Sequence, residues 1–239
     1  DALIDPSYNL QEPNIISVTQ TLRDSISSGD FIYAVGYESG RINLFRDAFN
    51  RASGTNNLGY ARTTTQPWGA GQIQYFKRLN DNSAIIYNPN QNYAYSTYGA
   101  IYTKYTARGA NIYGFPIGDV SDGIVSSITG ARPVYQRFSG GSNAETSINH
   151  HFTGPRVGLT VETHSPILEK WAAMGYGASC AGLPTSDVYS WQNGVRADFE
   201  NGYIYWDGQR TIASCEPTQD ECTQGTTRCL TSSIKQTCG

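Results

Sequence analysis

Residues 166–208 read PILEKWAAMGYGASCAGLPTSDVYSWQNGVRADFENGYIYWDG. Ile167 and Trp171 stand four apart and share one face of a short helix. Gly175 follows as a helix stop, and Gly182-Leu183-Pro184 sets a turn whose proline holds Leu183 extended. Two short aromatic runs then flank Glu200-Asn201-Gly202, the pattern of a β-hairpin. The order is helix, turn, hairpin.

The same order recurs upstream. Residues 99–120, GAIYTKYTARGANIYGFPIGDV, continue to ARPVYQRFSGGSN at 131–143, and a fainter copy occupies 41–88. In register, Ile167 and Trp171 match Ile101 and Tyr105, and Phe45 and Phe49. The stops are Gly175, Gly109 and Gly54. Gly182 precedes Phe199 by 17 residues and Gly59 precedes Phe76 by 17, whereas the middle copy needs 24 to reach Phe138. An insertion, SDGIVSSI at 121–128, accounts for the difference. Such a unit cannot bury its helix face and its hairpin alone, so neighbours must pack together.

The pattern W-x₃-G…L-G-x-P-T…F-x-x-G-x-I-y-W resembles the LGFP repeat family over about residues 41–210. The third copy matches at Trp171, Gly175, Gly182, Leu183, Pro184, Thr185, Phe199, Gly202, Ile204 and Trp206. The second keeps Gly114-Phe115-Pro116 and Phe138 without a clear I-y-W strand, and the first has Ala61 in place of the proline. The resemblance implies a secreted or envelope protein held to a saccharide-rich wall, often beside a catalytic domain. The C-terminal CTQGTTRC…QTC also resembles the start of small Cys-rich modules on secreted carbohydrate-active proteins, and reads as cut short.

The expected fold is mainly β with short helices: three tandem helix–turn–hairpin repeats in a compact, propeller-like arrangement. Residues 1–40 form an N-terminal segment that packs on or closes the repeat domain. It includes NIISVTQTLRDSI (14–26), read as a strand and a turn of helix, and GDFIYAVGYESG (29–40), which resembles NGYIYWDGQR (201–210). The repeats occupy about 41–94, 95–160 and 161–212, followed by a Cys-rich tail at 213–239.

Composition narrows the function. Only 15% of the 239 residues are charged and the net charge is −3, which gives no basic field for nucleic acid. No apolar run is long enough to span a membrane. The first residue is Asp1, as expected after removal of a signal peptide or pro-segment. Cys180, Cys215, Cys222, Cys229 and Cys238 read as a disulfide framework in an oxidising, extracellular setting, with zinc as the rival reading and the odd cysteine unassigned. Cys180 to Cys215 would tie the tail to the body, but the connectivity stays open.

No catalytic constellation stands out. Cys180 in GASCAG lacks a His partner or a helix start to activate its thiol, and reads as half of a disulfide. His150, His151 and His164 lack metal-ligand spacing, so neither a metal nor another cofactor is expected. Asp198 and Glu200 form the one candidate acid pair for a wall-acting glycoside hydrolase, since they share a face if 198–206 is a strand.

Sugar sites combine flat aromatic rings with amide and carboxylate groups. Trp68 and Trp191 occupy equivalent stretches between turn and closing Phe, and Gln192 and Asn193 follow Trp191. With Asp119 and Asp187 of the turns, these six are the candidate ligand residues. The expected function is a non-catalytic module that binds a cell-wall or cell-surface glycan. Its alternatives are the hydrolase and a structural or adhesion protein that binds a protein partner.

Overall fold

A computed structural model describes residues 33–216, with the backbone of 227–231 and 234–237. The described chain is mainly β, with four helices and three antiparallel sheets. The helices are α1 (Ile42–Arg51), α2 (Gly99–Arg108), α3 (Ala110–Tyr113) and α4 (Ile167–Ala173). None is long and apolar enough to cross a membrane.

The first sheet contains β1 (Tyr60–Ala61), β2 (Gln66–Trp68), β3 (Gly71–Arg78), β4 (Asp81–Asn88) and β5 (Tyr93–Tyr98), in the order β1-β3-β4-β5 with β2 also on β3. The second contains β6 (Gly114–Pro116), β7 (Ser121–Asp122), β8 (Pro133–Gly141), β9 (Ala144–His151) and β10 (Thr160–His164), in the order β6-β8-β9-β10 with β7 also on β8. The third runs β11 (Tyr189–Trp191), β12 (Gly194–Phe199), β13 (Gly202–Trp206) and β14 (Thr211–Ala213). A separate ribbon pairs β15 (Thr227–Thr231) with β16 (Ile234–Thr237). Among the described residues no strand of one sheet pairs with a strand of another.

The turn residues oppose the closing phenylalanines in all three sheets. Ala61 pairs with Phe76, Pro116 with Phe138, and Pro184 with Phe199. Gly59, Gly114 and Gly182 take φ of 79°, 80° and 73°. A Cβ at these positions would run into the residue after each Phe: Lys77, Ser139 and Glu200. Only glycine fits a left-handed backbone so close to a neighbouring strand.

The helix pairs face inward as their spacing requires. Phe45, Ile101 and Ile167 are fully buried, and Phe49, Tyr105 and Trp171 lie against the closing Phe rings at 5.7, 4.7 and 5.7 Å. Tyr105 Oη donates to the Gly114 carbonyl and Trp171 Nε1 to the Gly182 carbonyl, each at 2.9 Å. Gly109 and Gly175 supply left-handed stops. After α1, the left-handed turn begins one residue earlier than expected, at Ser53, before Gly54.

The helix α2 serves two sheets, α4 touches the second and third, and α1 packs on the first. One core unites α1 with Phe76 and Ile85 of the first sheet. The next unites Ile73, Ala84 and Ile86 on that sheet's other face with Ile101 and Tyr105 of α2 and Phe138 and Ile148 of the second sheet. The last joins α4 to Phe199 and Ile204 of the third sheet. Buried Gln74 and Gln136 fasten the first two sheets to the chain that precedes each. Gln74 accepts from Gly36 N at 2.7 Å and donates to the Ala34 and Thr63 carbonyls, both at 2.9 Å. Gln136 donates to the Ser96 and Gly118 carbonyls at 2.8 and 2.9 Å and accepts from Thr97. A buried amide is tolerated because its hydrogen bonds are made.

The described part of the N-terminal segment lies on the first sheet: Tyr33 N donates to the Ala61 carbonyl at 3.0 Å and Val35 is in the first core. The strand and helix turn expected at 14–26, and the start of the 29–40 stretch, fall outside the described residues. The 121–128 insertion supplies β7 and a loop that reaches the third sheet's turn. Ser127 N donates to the Gly177 carbonyl at 2.8 Å, and Ser127 Oγ to the Ser179 carbonyl at 2.7 Å.

Cys180 and Cys215 form a disulfide across 35 residues, clipping the chain after β14 to the turn after α4. Cys222 and Cys238 lie outside the described residues, and only the backbone of Cys229 is described.

Candidate functional site

Trp191 and Trp68 take the same place in their hairpins: Trp191 pairs with Gly194, and Trp68 with Gly71. Their surroundings differ. Trp68 packs on α2, donates from Nε1 to Tyr105 Oη at 2.9 Å, and leaves one side at a shallow groove of about 310 Å³. Trp191 has no helix over it among the described residues and is 41% exposed. Gln192 and Asn193 form the two-residue tip beside it, both exposed, with Gln192 at φ 49°.

Strand alternation puts Tyr189, Trp191, Arg196, Asp198, Tyr203 and Tyr205 on one face of the third sheet. Tyr189 opposes Arg196, Arg196 opposes Tyr205, and Asp198 opposes Tyr203. Arg196 is the centre of this face. Its guanidinium carbon sits 3.9 Å from the Tyr203 ring centroid and 4.8 Å from that of Trp191. Nε and one Nη both donate to Asp198 Oδ1, at 2.9 and 2.6 Å. Asp198 Oδ2 accepts from Tyr189 Oη at 3.1 Å. The hydroxyl of Tyr189 is held above its ordinary pKa by desolvation first and by the Asp198 carboxylate second. The cation is thus fixed between two π-faces and one carboxylate, which rigidifies the whole platform.

The corresponding positions of the first sheet carry no such group. Counting from the closing Phe, Arg196 stands where Ile73 does, Tyr203 where Ala84 does, and Tyr205 where Ile86 does. Those three residues of the first sheet are fully buried under α2. The third sheet therefore presents to solvent a face that the first sheet buries, with ring and ionic groups in place of aliphatic ones.

The other candidate residues hold the sheets together. Asp119 accepts from Ser96 N at 3.0 Å and pairs with Arg51 at 2.8 Å. Asp187 accepts from Glu162 N at 2.9 Å and pairs with Lys104 at 2.5 Å. Each carboxylate reaches back to the last strand and the helix of the preceding segment, so neither joins the Trp191 face. Glu200 accepts from Leu183 N at 2.9 Å, from Thr129 Oγ1 at 2.6 Å and from Ser126 Oγ. Both its oxygens bind the insertion loop and the Gly182 turn, away from the Arg196 clamp that occupies Asp198. Of the histidines, His151 is buried and bonds through Nε2 to the Pro184 carbonyl at 2.8 Å, while half-buried His150 bonds Thr160 Oγ1 at 2.8 Å.

Sequence reading named Trp191, Gln192 and Asn193 of this face but missed Tyr189, Arg196, Tyr203 and Tyr205. A signal existed: Arg196 stands where the first copy has an isoleucine, on the strand face away from the closing Phe. No family model matches the chain, and comparison with curated proteins finds no match.

Proposed function

We propose that this chain is a non-catalytic glycan-binding module of a secreted protein, and that the outer face of the third sheet is its binding surface. The observation that carries this reading is the Arg196 cation, stacked between the Tyr203 and Trp191 rings and clamped by Asp198 on an exposed face. An exposed indole offers a flat surface to the C–H face of a sugar ring. The guanidinium, the Asp198 carboxylate and the Gln192 and Asn193 amides sit beside it for hydroxyl groups. Because Arg196 is already ordered, little side-chain freedom is lost on binding.

The three segments are proposed to be copies of one LGFP-like unit, in a compact, propeller-like arrangement in which α2 and α4 each lie between their own sheet and the sheet before it. A non-aliphatic outer face suits the third copy, on which no further unit packs among the described residues. The partner on this reading is a cell-wall or cell-surface polysaccharide, and the Cys180–Cys215 disulfide is consistent with an oxidising extracellular setting. Hydrolysis is the weaker reading, since the carboxylates of Asp198 and Glu200 are both engaged in internal bonds. An adhesion role has one observation in its favour, the Trp–Arg–Tyr composition that also marks protein hot spots.

Retention on insoluble wall polysaccharides, compared between the native chain and Trp191→Ala, is the test. Retention lost in Trp191→Ala with the fold intact supports the reading. No retention of the native chain on any glycan overturns it.

A further inference from the structure

The face that the first sheet fills with Ile73, Ala84 and Ile86 is carried in the second sheet by Tyr135, Ser147 and Asn149, with Arg137 next to them. Tyr135 opposes Asn149 and Arg137 opposes Ser147, so all four share one surface. That surface looks towards α4 and its following turn, and the two do not fill all the space between them. Between them lies a hollow of about 130 Å³, walled by Trp171, Tyr176 and Leu183 and bordered by Asp122 and Ile124. Aliphatic side chains close the corresponding space over the first sheet, where Ile73, Ala84 and Ile86 are all fully buried.

The floor is polar, enclosed and poorly bonded. Ser147 and Asn149 are 3% and 2% exposed. Their side chains bond to each other's residue, at 3.5 Å from Ser147 Oγ to Asn149 Oδ1 and 3.3 Å from Asn149 Nδ2 to the Ser147 carbonyl. Both lie at or beyond the long end of useful hydrogen bonds, so a hydroxyl and an amide keep most of their capacity unused. Arg137 Nε is likewise buried without a partner, while its terminal nitrogen is paired with Glu145. Buried polar groups in native proteins are met by protein, ligand or ordered water, and three such groups converge here.

The wall is aromatic and rigid. Trp171 and Tyr176 stand edge to face, 5.2 Å apart at 83°, and Trp171 is anchored through its indole nitrogen to the Gly182 carbonyl. The hollow, partly open to solvent, is close in volume to a cavity that admits benzene and several times what one water needs, so a sugar ring enters it with some hydroxyls left in solvent. Glu145 compensates the Arg137 charge, which removes the reason for an anion to enter. Ring-sized space, an aromatic corner, and a floor of hydroxyl, amide and guanidinium together select a neutral polyhydroxylated ring.

We infer that this hollow is a second binding site, separate from the Trp191 face, that takes one neutral monosaccharide ring. Its small, partly enclosed volume suits a free sugar or the terminal residue of a chain, whereas the Trp191 face suits a chain lying flat. The site does not depend on the Trp191 reading, since the two share no residue.

NMR titration of the full chain with glucose, galactose, mannose and xylose, each alone, tests it, with sodium acetate and benzene as controls. At least one sugar should give saturable shifts of the Asn149 side-chain amide and the Gly177 backbone amide, with a Kd on the order of 1 mM. Asn149→Leu should weaken that binding tenfold or more, and Trp191→Ala should leave it unchanged. Ser147→Ala, which removes only the hydroxyl oxygen, provides the same test if the leucine variant does not fold. The inference fails if no sugar gives saturable shifts, if acetate or benzene binds and the sugars do not, or if the floor variants bind as the native chain does. An ordered-water cluster that no sugar displaces counts as the first of these outcomes. Retention lost in Trp191→Ala reports on the Trp191 face, and titration with the single sugars reports on the hollow, so either site can fail without the other.

Discussion

Lys104 of α2 and Asp187 of the third segment form a 2.5 Å ion pair across 83 residues of sequence. Arg51 and Asp119 repeat the relationship one segment earlier, at 2.8 Å. Each aspartate also accepts a backbone N–H from the strand that precedes its own segment. The pair is an inter-sheet fastener, and this assignment can be checked.

Removing only the charge partner, in Lys104→Met, should cost about 1 kcal/mol, because the pair is partly solvated. Asp187→Ala also orphans the Glu162 N–H and should cost about 2 kcal/mol. Denaturant unfolding reads both values. Glycan retention in either variant should equal that of the native chain, whereas a ligand role for Asp187 requires it to drop.

At Gly114, φ is 80° and a Cβ would collide with the Ser139 carbonyl. Gly114→Ala should destabilise by more than about 2 kcal/mol, since both strain and steric overlap act. Gly130, also at positive φ but with nothing near its Cβ position, should lose only the backbone preference of about 1 kcal/mol on the same change. Thermal unfolding of the two variants separates crowding from backbone preference.

Reduction of the Cys180–Cys215 bridge frees a loop of 35 residues. On the chain-entropy account the unfolded state gains freedom equivalent to about 4 kcal/mol. The melting temperature should therefore fall in reductant, and Cys180→Ser should show the lower value without reductant.

Half-buried His150 titrates below its ordinary 6.5, chiefly because burial disfavours the charged ring and secondarily because His151 is adjacent. The unfolded chain thus takes up this proton at a higher pH than the folded one does. Stability from this group is complete above pH 6.5 and is lost as the pH falls towards the folded value. His150→Gln should flatten the stability profile between about pH 5 and 7 in urea titrations.

Arg196→Lys keeps the charge but gives up the planar group that stacks on Trp191 and Tyr203. Retention on the bound polysaccharide should fall about tenfold, with stability changed by about 1 kcal/mol or less. A variant that binds as well as the native chain would leave Arg196 with only a scaffolding role.

Helix pairs, turns and closing phenylalanines were legible because each rests on local chemistry. Ile167 and Trp171, Gly182 and Pro184, and the spacing to Phe199 encode helix face, left-handed turn and strand without reference to any distant residue. The same holds for the first copy, where Phe49 meets Phe76 at 5.7 Å although Ala61 replaces the proline. Trp191 was also legible, through its match to Trp68. The roles of Asp119, Asp187 and Glu200 were not, because a carboxylate after a turn reads alike whether it faces solvent or a neighbouring sheet.

The sequence by itself determined the helices, the turns, the closing strands and the equivalence of Trp68 and Trp191, since periodicity and backbone preference act over a few residues. Tertiary structure alone decided that Trp68 is covered and Trp191 bare, that Cys180 meets Cys215, and that Arg196 lies between two rings. The reason is physical: exposure depends on which element packs across a face, and no local pattern states what lies on its other side.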